Sequence, residues 1–169
     1  DELAHPATSP VAWVSLGRLR LAAGDRAGAL HAAQQAQALD DANEGAAKLA
    51  LDLMEENTPE AEALVAKSLA KQPVPELRMS YARVLLGLQR YSDARQQMEY
   101  VTKEKPDALE AWLVLATLQV QDNQLPQAEI ALGRYMDLLS SATDAQVRQR
   151  GLTQAYLLHA QISEKKQDF

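Results

Sequence analysis

Apolar residues recur along the chain at helical spacing, in runs cut by short polar turns. Trp13, Leu16, Leu19 and Ala23 form the first run, and Gly24-Asp25 ends it. No stretch alternates apolar and polar residues with period two over more than a few positions. The pattern predicts an all-α chain with no sheet. Start signals then locate the helices. Ser9-Pro10 and Thr58-Pro59 each set an N-capping residue before a proline at the first helical position. Asp107 and Glu110 have the spacing of a capping box, and Thr143 with Gln146 is a weaker version of it. Nine helices are predicted, starting near residues 10, 26, 43, 59, 75, 91, 108, 125 and 144.

The runs also repeat. Ala12-Trp13-Val14-Ser15-Leu16 aligns with Ala111-Trp112-Leu113-Val114-Leu115 at an offset of 99 residues. At the same offset Leu19 meets Leu118 and Ala29 meets Ala128. An offset of 34 brings Glu76, Ala82 and Ala94 onto Glu110, Ala116 and Ala128. The unit from Glu44 to Val74 is three residues short, its internal turn cut down to Asn57-Thr58-Pro59. Each unit reads as two amphipathic helices.

This spacing resembles the tetratricopeptide repeat, a 34-residue helix–turn–helix unit. The unit from Pro10 carries Trp13, Leu16, Gly17, Gly24, Asp25, Ala29 and Ala36. The unit from Pro75 carries Tyr81, Ala82, Tyr91, Ala94 and Pro106, and that from Leu109 carries Trp112, Leu115, Ala116, Ala128 and Leu132. The Glu44–Val74 unit is degenerate, matching through Ala47, Ala61 and Pro73. The resemblance implies a right-handed α-α superhelix over residues 1–169, with units of about 10–43, 44–74, 75–108, 109–142 and an incomplete 143–169.

Residue sizes give the pattern its physical sense. Helices that cross at about 8–10 Å have room only for small side chains at the closest point. Gly17, Ala82 and Ala116 fall there on first helices, and Ala29, Ala94 and Ala128 on second helices. Trp13, Trp112, Leu16, Leu115, Leu132 and Met98 are expected to fill the space beside the crossings. Tyr135 departs from the pattern, because its slot usually holds Ala. At the chain's two ends, Asp1 to Ala4 looks like the last turn of a second helix. Gln154 to Phe169 looks like a first helix and its turn, with an apolar stripe of Leu152, Tyr156, Leu157 and Ile162 uncovered. Both ends lead to the expectation of a segment of a longer protein.

Composition narrows the chemistry. Thirty of the 169 residues are alanine and 47% are hydrophobic, enough for a core of small and aliphatic side chains. No cysteine is present, so disulfides and thiolate metal sites are excluded. A net charge of −6 disfavours nucleic acid and anionic lipid as partners. Residues 1–74 hold 6 basic and 11 acidic side chains, and residues 75–169 hold 11 and 12. No apolar run is long enough to span a bilayer. His5, His31 and His159 lack metal-ligand spacing, and no phosphate loop or nucleophile elbow occurs. Asp40-Asp41 and Glu55-Glu56 are read as solvated edges. Neither catalysis nor a cofactor is expected of this chain.

In tetratricopeptide arrays the first helices line a concave face that binds peptides. The resemblance maps that face onto Val14, Arg18, Lys48, Met79, Arg83, Leu86, Leu113, Thr117 and Val120, with Val11, Leu21, Asp52, Glu55, Glu76 and Glu110 at the remaining places and Gln154, Leu157, Gln161 and Glu164 in the last unit. Three cations among apolar residues would suit an extended or helical partner with acidic groups. The carboxylate clamp of the family's chaperone-binding members is not carried over. Lys48 stands at one of its positions, but Arg18, Asp52 and Arg83 replace the required Asn. The resemblance therefore implies a protein-interaction scaffold. The alternatives are a substrate-recruiting region of a larger enzyme with its catalytic domain outside this chain, or a spacer without a groove ligand. The run Pro75–Val101 and the tail also resemble long tetratricopeptide proteins of Gram-negative bacteria, many exported to the periplasm or outer membrane.

Overall fold

The computed structural model describes residues 9–55 and 58–167. Nine helices and no strand occur among them. They are α1 (Pro10–Ala22), α2 (Arg26–Leu39), α3 (Glu44–Leu53), α4 (Pro59–Lys71) and α5 (Pro75–Gly87), then α6 (Tyr91–Glu104), α7 (Leu109–Gln121), α8 (Leu125–Ser140) and α9 (Ala145–Gln167). Every start lies within one residue of its expected position. Asp1 to Ala4, His5, Glu56, Asn57 and the last two residues of the tail lie outside the described residues. The contacts divide the chain into two compact units, one through Leu88 and one from Gln89.

Helix ends are set by a mixture of signals. Asp25 and Asn43 cap α2 and α3 by accepting from the backbone N–H of Gly28 and Ala46, each at 2.8 Å. Such a cap stabilises a helix by about 1 kcal/mol. The expected capping box at Asp107 does not form, because α7 begins at Leu109 with Ala108 as its N-cap. Ser9 and Thr58 precede their prolines without a side-chain cap, and the Thr58 hydroxyl instead bonds the Glu55 backbone. At α9 it is Asp144, not Thr143, whose Oδ1 accepts from Gln146 and Val147. Gly24, Gln89 and Asn123 follow α1, α5 and α7 with φ of 82°, 58° and 57°. These left-handed residues turn the chain out of each helix.

In the first unit, α1 packs along α2 and α3 along α4, while α1 also meets α3, and α3 meets α5. Small side chains from α2 meet larger ones such as Leu49, Val65, Leu77 and Leu85 in the core. Ala29, Ala32, Ala33 and Ala36 of α2 are fully buried. A methyl group added at Gly17 would run into Leu49 Cδ2, with Ala32 Cβ at 3.2 Å and Ala29 O at 3.4 Å. The glycine is therefore required by the close approach of α2 and α3. The rotation of α1 differs from expectation. Val14, assigned to the open face, is buried against Ala36 and Ala46 beside Trp13, whereas Leu19, assigned to the core stripe, is 69% exposed. The face of Gly17 decides this, since it lies where α2 and α3 converge and carries Val14 with it. Gln37 Nε2 donates to the Leu64 carbonyl at 2.7 Å inside the core and ties α2 to α4.

In the second unit, α7 packs along α8, α8 meets α9, and α7 meets both α6 and α9. Ala94, Ala116 and Ala128 are fully buried, as small residues at crossings must be. Leu115, Leu132 and Met98 are buried around them. Tyr135 is buried in the slot where the repeat pattern has Ala, and its phenol is pushed above the ordinary tyrosine range by that burial. Gly151 of α9 makes the room: a methyl there would lie 2.5 Å from Leu139 Cδ1 and 2.7 Å from the Tyr135 hydroxyl. The apolar stripe expected on α9 is only partly open. Ile162 is buried and Leu152 half-buried, which leaves Tyr156 and Leu157 exposed.

Candidate functional site

The residues expected to line a binding face separate into two sets by unit. In the first unit they stand on α1, α3 and α5, which pack in succession. Arg18, Lys48 and Arg83 are exposed there, and Met79 and Leu86 are half-buried. Arg18 has no ion-pair partner among the described residues. Lys48 holds Glu44 of its own helix at 2.7 Å, a surface pair that contributes only about 0.3–0.5 kcal/mol and leaves the ammonium at the surface. Val14 does not join this set, because its side chain is in the core.

In the second unit the set has no cation, and its two carboxylates, Glu110 and Glu164, are exposed. Leu113 and Thr117 of α7 are half-buried, and Val120 is 4% exposed and belongs to the core. Val14 and Val120 were equally compatible with core or face, since an apolar side chain on a first helix suits both. Between α7 and α9 lies a crevice of about 220 Å³, lined by Leu113, Thr117, Gln154, Leu157, Leu158 and Gln161. Thr117 Oγ1 donates to the Leu113 carbonyl at 2.9 Å. The Tyr135 hydroxyl makes a long contact of 3.4 Å to Gln154 Oε1. Gln154, Leu157 and Gln161 were legible from the repeat alignment; Leu158 was not, because it also serves the core at 5% exposure.

A second cavity, of about 260 Å³, was not signalled by the sequence. Pro106, Trp112, Arg134, Asp137 and Leu138 line it. Trp112 Nε1 donates to the Pro106 carbonyl at 2.8 Å, which fixes the indole at the mouth of the helix pair.

Candidate chemistry elsewhere is sparse. His31 is exposed, with its ring edge-on to Trp13 at 5.9 Å between centroids. His159 is exposed on α9. Among the described residues no three His, Asp or Glu side chains gather as metal ligands would. No helix among them is long and apolar enough to cross a membrane. The Asp41 carboxyl is held below the ordinary range by its hydrogen bond and charge pairing with Lys67, at 2.6 Å.

Comparison with known proteins assigns the architecture. The profile of the family described as Tetratricopeptide repeat matches residues 55–107 and 81–142, together just over half of the chain. No curated protein matches. Among solved structures, the chain is similar to the crystal structure of YrrB, described as a TPR protein with an unusual peptide-binding site. The TM-score is 0.55 and the identity 14%, over 94% of this chain and 92% of that one. It is also similar to PilF of Pseudomonas aeruginosa, with a TM-score of 0.54 and 17% identity over 92% of this chain and 75% of that one. At such identities the likeness is one of fold. Proteins built this way are in general non-catalytic scaffolds for protein–protein interaction. The 34-residue helix pairs, the small residues at their crossings and the profile match lead to one conclusion: the chain belongs to the tetratricopeptide repeat family.

Proposed function

We propose that this chain is a protein-interaction scaffold that holds a segment of a partner protein against its first helices. The observation that carries the reading is the succession of α1, α3 and α5 in the first unit, with Arg18, Lys48 and Arg83 exposed on consecutive first helices and Met79 and Leu86 half-buried among them. Cations spread over a partly apolar surface attract a segment with acidic groups and give it somewhere to rest apolar side chains. The peptide-binding site described for YrrB, a neighbour in fold, agrees with this use of the architecture.

A peptide array tests it. Capped twelve-residue peptides mixing acidic and apolar residues are offered to the purified chain. Capture that weakens as salt rises is the expected outcome. Arg18→Glu combined with Lys48→Glu removes that capture while the melting temperature stays within a few degrees, since both side chains are at the surface. Capture unchanged by the double variant would exclude this face. A folded chain that captures no peptide of any composition would favour a spacer without a groove ligand.

A further inference from the structure

We infer that the crevice between α7 and α9 takes one large apolar side chain from an extended, uncharged partner segment, whose main chain is held by Gln154 and Gln161. The inference rests on the scaffold reading but concerns a different surface from the cationic one.

The lining itself excludes a charged ligand. None of the six residues around the crevice is ionisable. Arg150 and Glu164, exposed on α9 one turn beyond either glutamine, are opposite in sign. A charged side chain entering among Leu113, Leu157 and Leu158 would lose water and gain no charged partner. An apolar one would cover Leu157, which is 63% exposed, as well as the half-buried Leu113.

The polar groups then select the backbone conformation. Thr117 has committed its hydroxyl proton to α7. The Gln161 side chain has no hydrogen-bond partner among the described residues. Gln154 takes part only through Oε1, in the long contact from Tyr135, so its amide N–H groups are uncommitted. Two amides able to donate, at least one of them also able to accept, match the exposed N–H and C=O groups of an extended strand. A helix would present no such groups, since its peptide units are bonded internally. The spacing also fits. Gln154 and Gln161 are seven residues apart on α9, about 10.5 Å along the axis at 1.5 Å per residue. An extended chain rises about 3.3 Å per residue, so the amides would meet peptide groups three residues apart. Of the two side chains between those groups, one points into the crevice and its neighbour away from it.

The test uses the same capped twelve-residue array, with three added sets. One carries a single Leu or Phe in a Ser/Thr background, the second adds three Asp to each of those peptides, and the third places the Leu or Phe in a helix-forming Ala/Gln background. The expected result is capture of the neutral extended set with an affinity that does not change between 50 and 500 mM salt. Leu157→Asp weakens that capture at least about tenfold by setting an unpaired charge in the crevice. Gln161→Ala weakens it about three- to tenfold through a lost hydrogen bond. Both residues are exposed, so the circular dichroism spectrum should be that of the parent. Arg18→Glu with Lys48→Glu should leave it unaltered. Capture of the helix-forming set in preference, or of the neutral set with no response to Leu157→Asp, overturns the inference. So does a concentration-dependent dimer that Leu157→Asp dissociates while no peptide binds. If only the acidic peptides bind, and only through Arg18 and Lys48, the crevice proposal fails and the scaffold reading stands. If no peptide binds at all, both fall.

Discussion

The two units solve one packing problem from opposite sides. In the first, the glycine sits on a first helix, and Leu49 of the next first helix fills the space its missing side chain leaves. In the second, a bulky residue, Tyr135, occupies a second-helix position where the repeat has Ala, and the glycine is displaced to α9, which must approach it. A crossing needs a small residue at its centre, but it does not matter which helix supplies it. The faces differ too. The first helices of one unit carry exposed cations, whereas those of the other carry amides and leucines around a crevice. One repeat pattern thus supports two surfaces of different chemistry, because the residues at the crossings and those on the faces vary independently.

The largest effect should come from the second solution. Tyr135→Ala removes a buried aromatic side chain and is expected to cost about 3–5 kcal/mol, read from urea melts. Gly151→Ala alone should cost about 1–3 kcal/mol by overpacking, less about 1 kcal/mol that Ala gains over Gly inside a helix. The double variant sharpens the comparison. With the phenol gone the added methyl meets only Leu139, so the combined cost should fall short of the sum by about 0.5–3 kcal/mol. Strict additivity would show that Gly151 does not accommodate Tyr135.

Gly17→Ala probes the first solution and should cost less. The methyl would meet Leu49 Cδ2, the tip of a side chain, but Leu49 is fully buried and Ala32 stands on the other side. A net loss of about 1–2 kcal/mol is expected after the gain in helix propensity. A shortened side chain at the partner, Leu49→Ala, should make the same Gly17→Ala change neutral or favourable. If Gly17→Ala stabilises the parent chain, α1 does not cross α2 and α3 at Gly17.

Helix starts were legible because prolines and acid or amide caps mark them locally. The capping box at Asp107 misled, since box residues work only when the first of them is the N-cap, and here Ala108 holds that position. Rotation about the helix axis was the harder property. In α1, apolar residues occur on several sides, so sequence alone assigned Leu19 to the core and Val14 to the face, the reverse of their burial. Tyr135 was recognised as a departure, but its compensation by Gly151 lies sixteen residues away in another helix and has no local signature. On the faces, charge made Arg18, Lys48 and Arg83 readable, whereas the crevice depended on how α7 and α9 are aligned.

The turns offer a third comparison. Gly24 and Gln89 have the same left-handed backbone, at φ of 82° and 58°. A glycine takes that conformation freely, whereas a residue with a Cβ loses about 1–2 kcal/mol. Gln89→Gly should therefore raise stability, by up to about 1 kcal/mol once the greater freedom of glycine in the unfolded chain is deducted. Gly24→Ala should lower it by a similar amount. Equal, negligible effects at both positions would mean that these turns do not hold the left-handed geometry in solution.

The smallest effect belongs to the surface ion pairs, of which one from each unit serves as an example. Asp41 in the turn before α3 pairs with Lys67 of α4 at 2.6 Å, and Lys166 of α9 pairs with Glu129 of α8 at 2.6 Å. Both are exposed, where ion pairs contribute little and salt weakens them. The Asp41 pair nevertheless has a readable sign. Lys67 lowers the carboxyl below its ordinary value in the folded chain, by hydrogen bond first and by charge second, and Lys71 adds a weaker pull. A carboxyl whose folded value lies below the unfolded one stabilises the fold above the unfolded value, and that contribution disappears as pH falls through the folded value. An NMR titration of the Asp41 side chain should show a depressed midpoint in the parent chain. Lys67→Ala should move that midpoint most of the way back to the ordinary range, and Lys71→Ala only slightly. Neither change should alter the melting temperature detectably at neutral pH. A midpoint unmoved by Lys67→Ala would show that this pair does not join the turn to α4 in solution, and that α4 is held there by its buried side chains and the Gln37 hydrogen bond.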